Sequence, residues 1–306
     1  MNRGMSSGMS SGGSAPRVPR SLLYVPAHNE KMILGAARRG AEAIILDLED
    51  SVPPAAKVDA RERLSESVAA VGELGASVVV RVNGSWSLAW RDLEAAAAAG
   101  AQGVMLPKVD SPGKVESIGE YLVELEENFG LKPQALLLII ESARGLAAVQ
   151  EIAAALAKLA TIPMAGGSRL TALVPGNEDL SLSLQVEPKP ELMAPALWPL
   201  ITAARAHGHA LLGSIGSSSD YRDLAAYRDH VARARSYGFY GVTCIHPAQV
   251  EVVNELYSST GAGLEWARKV IAAFDAGGGE SVGVDGQMVD RPVYRRAKRI
   301  VEDADR

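Results

Sequence analysis

An α/β fold, a (β/α)8 TIM barrel with a C-terminal helical or lid extension, is predicted for this chain of 306 residues by three observations. Short apolar, β-branched runs alternate with Ala-rich stretches of helical periodicity, the pair recurs eight times, and the runs end in polar or charged residues beside Gly, Pro or Ser. Parallel neighbours need a crossover connection, which the helical stretches supply, and eight such units in about 230 residues suit a barrel. A doubly wound open sheet is the alternative. Its dinucleotide-binding version has no support, because the first strand turns through "VPAHNE" without G-x-G-x-x-G.

Residues 1 to 19 are dominated by Gly and Ser and lack the apolar content that offsets the entropy of ordering, so they read as a flexible tail. The strands then follow in "SLLYVPAHNE", "AIILDLEDS", "SVVVRVNGS", "GVMLPKVDS", "LLLIIESARG", "TALVPGNEDL", "ALLGSIGSSSD" and "GVTCIHPAQ". Within "ATIPMAGGSRLTALVPGNEDL" two apolar runs compete for strand six, and the second is preferred because it ends in carboxylates. Several intervening helices finish in Gly, namely Gly40, Gly75, Gly100, Gly208 and Gly238, the residue that closes a helix in a left-handed conformation.

Composition narrows the function. With 31 basic and 36 acidic residues the formal charge is -5 and no long single-sign run occurs, so neither a nucleic-acid nor a membrane-surface partner is indicated. A single cysteine, Cys244, precludes an intramolecular disulfide and an all-thiolate metal site, as suits a reducing compartment. No apolar run approaches the roughly 18 residues of a membrane span, and the N-terminus lacks the apolar segment of a signal peptide, so a cytoplasmic location is expected.

In a barrel the strand C-termini converge on one mouth. Here they supply His28 and Asn29, then Asp47, Glu49 and Asp50, then Arg81 and Asn83, then Lys108, Glu141, Asp179 and His246. One carboxylate from each of two neighbouring strands, with waters completing an octahedron, is how Mg2+ is usually held, so Glu141 and Asp179 read either as ligands of Mg2+ (or Mn2+) or as helix caps. Five histidines without zinc-site spacing argue against zinc. Arg81 interrupts an apolar strand; burying it is costly unless it is paired, so it either neutralises the nearby acids or grips a carboxylate ligand through its planar fork. A divalent ion and an arginine at a barrel mouth suit a small 2-oxo or 2-hydroxy carboxylate and metal-assisted bond cleavage or formation.

The segments "RSLLYVPAHNEKM", "GAEAIILDLEDSVPPAAK", "VVVRVNG", "GVMLPKVDS", "IIESARGL", "GNEDL", "GFYGVTCIHPAQV" and "GQMVDRPV" stand in the order found in one family, from Arg20 to Val293. Together they resemble the citrate lyase β-subunit (CitE-like) group of the HpcH/HpaI aldolase superfamily. The resemblance implies a Mg2+-dependent carbon–carbon lyase that cleaves a malyl-, citramalyl- or citryl-CoA type thioester to an acyl-CoA and an oxo acid. It implies Glu141 and Asp179 as metal ligands, Arg81 as the carboxylate-binding arginine, Asp47 and Glu49 beside the substrate, and Arg20 and Lys31 as contacts to coenzyme A. It also implies a barrel over residues 20 to 276 and a homotrimer or larger homo-oligomer. Residues 277 to 306 would then form a lid that carries Asp290, the acid/base group, to a neighbouring subunit's site. The run Gly277 to Gly279 suits a lid that moves.

Two other readings stand beside it: a metal-dependent aldolase on a free hydroxy-oxo acid, and a non-catalytic binding protein for an oxo acid or acyl-CoA. The chain departs from the family pattern at "MAPALWPLITAARAHG", which lacks the family's two early arginines and gains Pro195, Trp198 and Pro199, at "ALLGSIG", and at "VPGNEDL". Those changes fall on the acyl-thioester side of the mouth. Trp86 and Trp90 read as a cover for the mouth or an interface, and Cys244 as a small core residue.

Overall fold

All eight runs read as strands form strands in the computed structural model, which describes residues 17–162, 167–258 and 262–305. The first half runs β1 (Ser21–Pro26), α1 (Glu30–Ala37), β2 (Ala43–Asp47), α2 (Lys57–Glu62), α3 (Leu64–Glu73), β3 (Ser77–Arg81), α4 (Trp86–Ala98), β4 (Gly103–Leu106) and α5 (Pro112–Phe129). It continues through β5 (Ala135–Ile140), α6 (Ala143–Ala147), α7 (Val149–Ala160), β6 (Thr171–Pro175), α8 (Asn177–Leu184), α9 (Pro190–Ala196) and α10 (Trp198–His207). Then come β7 (Ala210–Leu211), α11 (Leu224–Ser236), β8 (Val242–Cys244) and α12 (Pro247–Tyr257).

The strands form one parallel sheet in the order β7-β6-β5-β4-β3-β2-β1-β8. A parallel bridge between Leu212 and Gly241 joins its two ends, so the sheet curls into a TIM-like barrel. Strand residues alternate between the barrel interior and the helix layer, and both are apolar. Ile45, Met105, Leu137, Ile139 and Val174 pack together inside, while β2 is buried along all five of its residues. Each such side chain contributes about 1.5–3 kcal/mol on burial.

Strand six is Thr171–Pro175, the second of the two competing runs; part of the first, residues 163 to 166, lies outside the described residues. The five glycines read as helix ends all adopt positive φ, between 71° and 88°. Where one helix was expected after strand six, Pro195 and Pro199 divide the segment into α9 and α10. The N-terminal tail lies outside the described residues as far as position 16, and Arg17 pairs with Glu42 at 3.0 Å.

The chain divides into two compact units, residues up to Asn254 and residues from Glu255 to Arg306. The second unit starts earlier than the expected lid at 277, because α13 (Ala262–Ala276) supplies half of its core. Ala267, Val270 and Phe274 of that helix pack with Val284, Val289 and Ala297. Strands β9 (Val282–Val284) and β10 (Gln287–Val289) pair antiparallel around Asp285 and Gly286, both at positive φ as a two-residue hairpin requires, and α14 (Arg291–Asp305) follows. Among the described residues no helix is long and apolar enough to cross a membrane.

Candidate active site

Strand register builds the mouth. Asp47 is the last residue of β2 and pairs in register with Arg81, the last residue of β3, so carboxylate and guanidinium leave the sheet side by side. Arg81 donates from Nε to Asp47 Oδ1 and from Nη2 to Oδ2, each at 2.7 Å. The Asp47 oxygens also accept from the backbone N of Glu49 at 2.8 Å, from that of Ser51 at 3.0 Å, and from the Ser51 hydroxyl. Burial alone would raise the Asp47 carboxyl, but the Arg81 fork, the Ser51 hydroxyl and the Glu49 amide outweigh it and hold the group below the usual carboxylate range. At 1% exposure and with both oxygens occupied, Asp47 is a hub that fixes Arg81 and the following loop. Its contacts are with Arg81, Ser51 and the Glu49 amide, at the place beside the substrate that the resemblance implies.

The Arg81 side chain neutralises acids, one of its two expected roles. Its remaining nitrogen, Nη1, faces Glu49 at 3.4 Å and Asp50 at 3.5 Å. The Tyr24 ring lies 5.0 Å under the guanidinium, and its hydroxyl contacts Met105 Sδ at 3.0 Å. Tyr24 carries no sequence signal, since an aromatic residue in β1 reads as core.

Glu49 is 6% exposed and ion-paired at 3.0 Å to Lys108 Nζ, yet neither carboxylate oxygen meets a donor at hydrogen-bonding geometry. Burial pushes its carboxyl upward, against the pull of Arg81 and Lys108. Gly84 makes room here, because a Cβ on it would lie 3.0 Å from Lys108 Cδ and 3.2 Å from Glu49 Oε1.

Glu141 follows β5 directly and accepts the backbone N–H of Lys108 at 2.6 Å, which holds Lys108 at φ 54°. The cap of α6 is Ser142, whose side chain accepts from Gly145 N at 3.0 Å, so Glu141 is not the cap. Asp179 is exposed in the first turn of α8 and is not its cap residue, which is Gly176. Burial raises the Glu141 carboxyl to about 7; the Lys108 amide opposes this, and the charges of Glu49 and Asp179 add to it. A buried Glu141 whose charge Glu49 and Asp179 oppose, beside a Glu49 whose two oxygens lack donors, makes a site that a cation relieves. Among the described residues no three acidic, His or Cys side chains form a self-contained metal cage, and an ion held by two carboxylates and waters needs none. The residues present therefore fit a divalent ion.

Gly176 seats Glu141. A Cβ at this position would stand 2.5 Å from Glu141 Cβ and 2.8 Å from Oε2. Gly176→Ala is expected to displace the carboxylate and weaken Mg2+ binding by about tenfold or more by calorimetry. Gly113→Ala, facing open space, is the control. Equal affinity in the two variants would refute this seating.

Other expected contacts sort by place in the fold. Lys31 is exposed in the first turn of α1, beside the mouth. Arg20 precedes β1, at the opposite end of the barrel, and its backbone N and Nε bind Glu42 at 2.8 and 2.6 Å. Within its own barrel Arg20, a residue before a strand, thus stands apart from Lys31 and from the mouth built by residues after strands. Beside it at that floor opens a cavity of about 380 Å3, lined by Arg17, Leu22, Ala43 and Ala135 and remote from the acids.

Asn29 caps α1 by accepting from Met32 N at 3.1 Å, and His246 stacks on Tyr221 with centroids 4.6 Å apart. Burial pushes the Cys244 thiol to about 12, which makes it an inert core residue. Trp86 stacks on Trp90 at 5.2 Å, and Trp90 meets Tyr121 of α5 edge-on, so the pair belongs to the helix layer. Asp290, in the second unit, immediately precedes α14 and accepts Val293 N at 3.2 Å.

Two lysines escaped the sequence reading, because a long side chain does not announce where its end will lie. Lys57 reaches the carbonyls that follow β2, and Lys114 donates to the carbonyls of Pro107 and Lys108 at 3.1 and 3.0 Å. Their only sequence signal is a place in the first turn of the helix that follows a strand-end motif.

A family model described as HpcH/HpaI aldolase/citrate lyase matches residues 20–247. A (3S)-malyl-CoA thioesterase from Cereibacter sphaeroides is 34% identical over 280 residues, covering 89% of each chain. A citrate lyase subunit beta from Escherichia coli is 31% identical over 299 residues, covering 94% of each. The solved structure of CitE from Mycobacterium tuberculosis in complex with magnesium, acetoacetate and coenzyme A is 29% identical, with a TM-score of 0.71 over 94% of this chain and 98% of that one. With its barrel, its acidic mouth and these matches along nearly its whole length, this chain belongs to the HpcH/HpaI aldolase/citrate lyase family.

Proposed function

We propose that the protein is a Mg2+-dependent carbon–carbon lyase that cleaves a 3-hydroxy-carboxyacyl-CoA of the malyl, citramalyl or citryl type. The observation that carries this reading is the under-neutralised acid group of Glu49, Glu141 and Asp179 beside the Arg81 guanidinium. A magnesium complex with coenzyme A in a relative supports it. Glu141 and Asp179 would hold the ion. When bound, it supplies Lewis-acid stabilisation of the negative charge that develops on the substrate oxygen.

The protein's own groups do the rest. Arg81, braced by Asp47, presents Nη1 to the substrate carboxylate. Glu49 keeps acceptor capacity for the hydroxyl proton. As that proton leaves, the hydroxyl carbon becomes the carbonyl of the oxo acid and the bond between the α and β carbons breaks. Its electron pair passes to the thioester as an enolate, which Asp290 of a neighbouring copy protonates to give the acyl-CoA. Lys31 is the cation offered to the coenzyme A phosphates.

A second reading is hydrolysis of the thioester, favoured by the 34% identity to a malyl-CoA thioesterase. Product analysis separates the two. With Mg2+ and malyl-CoA the lyase gives glyoxylate and acetyl-CoA, whereas hydrolysis gives malate and free coenzyme A. Citramalyl-CoA and citryl-CoA complete the panel. If no thioester in the panel yields an oxo acid, the lyase reading fails.

A further inference from the structure

The ammonium of Lys57 has three donors and no acceptor. Two point at consecutive carbonyls, Leu48 O and Glu49 O, at 2.7 Å each, and the third at Asn83 Oδ1 at 2.6 Å. Asn83 passes the contact on. Its backbone N and Nδ2 donate to Asp92 Oδ2 at 2.8 and 2.6 Å, and Asp92, fully buried on α4, accepts Arg61 Nε on its other oxygen at 2.7 Å. Lys57 and Arg61 stand one turn apart on α2, so this short helix grips the exits of β2 and β3 from one side, while the Arg81 fork grips them from the other.

With every donor engaged, Lys57 has none to offer a ligand. Two adjacent carbonyls that converge on one point repel each other unless a cation sits there. The ammonium therefore decides how the peptides at Leu48 and Glu49 turn, and with them the direction in which the Glu49 side chain leaves the chain. We infer that Lys57 is a positioning residue, which sets the Glu49 carboxylate at the mouth through the backbone, with Asn83 and Asp92 as its anchor. The catalytic consequence rests on the lyase reading; the backbone geometry does not.

Two variants test it in the full-length protein, Lys57→Met and Lys57→Arg, with circular dichroism to establish folding. With Mg2+ and the malyl-CoA substrate, Lys57→Met is expected to lose about 10- to 100-fold in kcat. Its KM should stay within about twofold, because no substrate contact is removed. Lys57→Arg restores charge and donors and should recover part of the loss. Unchanged kcat in Lys57→Met overturns the inference, as does a loss that appears wholly in KM.

The second measurement needs no activity: hydrogen exchange at the Glu49 and Ser51 amides, which bind Asp47 in the native loop. These amides should exchange faster in Lys57→Met than in Lys57→Arg. Equal exchange in the two overturns the positioning role. Should the wild type release no oxo acid from any thioester, the lyase reading fails and the exchange comparison alone decides for Lys57.

Discussion

Glu141→Gln is expected to yield a protein more stable than the wild type without metal, and without magnesium-dependent turnover. The amide keeps an oxygen to accept the Lys108 N–H, so the left-handed turn at Lys108 stays in place. It removes a buried charge that neighbouring acids oppose. The sign of the pH dependence follows from the direction of the shift. In the ion-free fold the Glu141 carboxyl is raised from 4.5 to about 7, so between those values the folded state holds a proton that the unfolded state has lost. Wild-type stability therefore falls as pH rises through that window, whereas the variant's does not. The gap should reach on the order of 2–3 kcal/mol above pH 7. Urea denaturation in EDTA at pH 5 and pH 8 measures it, and calorimetry should show Mg2+ affinity down by about 100-fold or more. A variant that is less stable at pH 8 would contradict the crowding of charge at this mouth.

Arg81→Met carries the opposite sign. It leaves Asp47 and Glu49, 1% and 6% exposed, without their main counter-charge, and breaking a buried pair in this way costs about 3–5 kcal/mol. Asp47 has a folded pKa below its ordinary value, so the stability it gains from Arg81 is present at neutral pH and is lost as pH falls through the folded value. Denaturation midpoints of wild type and variant should lie furthest apart near pH 7 and converge in acid. Arg81→Lys recovers only part of the loss, since a point charge cannot make two parallel hydrogen bonds to one carboxylate. A loss below about 1 kcal/mol at pH 7 would mean that the pair behaves as a surface ion pair.

What the sequence made legible, and what it hid, divides along a physical line. The eight strands, the mouth they form and the acids at their ends follow from short continuous apolar runs and from the fact that polar groups gather where strands stop. The preference for Thr171–Pro175 as strand six held for that reason. Pairings were hidden, because they depend on register and on flexible side chains. That Arg81 spends two nitrogens on Asp47 needed the alignment of β2 with β3. That Lys57 reaches back to the Glu49 carbonyl needed the fold of the intervening turn. The position of Arg20 was hidden for a simpler reason: a motif carries order along the chain but not which end of a barrel it marks. The division of the second unit also stayed hidden, since α13 reads from its pattern alone as one more barrel helix.

The barrel closes between β7 and β8 through one bridge, Leu212 to Gly241, beside a strand of two residues. Backbone amides along this seam should be the first in the barrel to exchange with solvent, since a rung with few neighbours opens without disturbing the rest. The segments that depart from the family pattern, 193 to 217, run into this seam. Their loop ties Ser217 to Glu178, next to Asp179. The staves that carry Arg81 and Glu141 lie on the well-laced side, and the segments that depart from the family pattern lie on the loosely hooped one. A change of substrate could be accommodated on the loose side while the ladder under the chemistry stays shut.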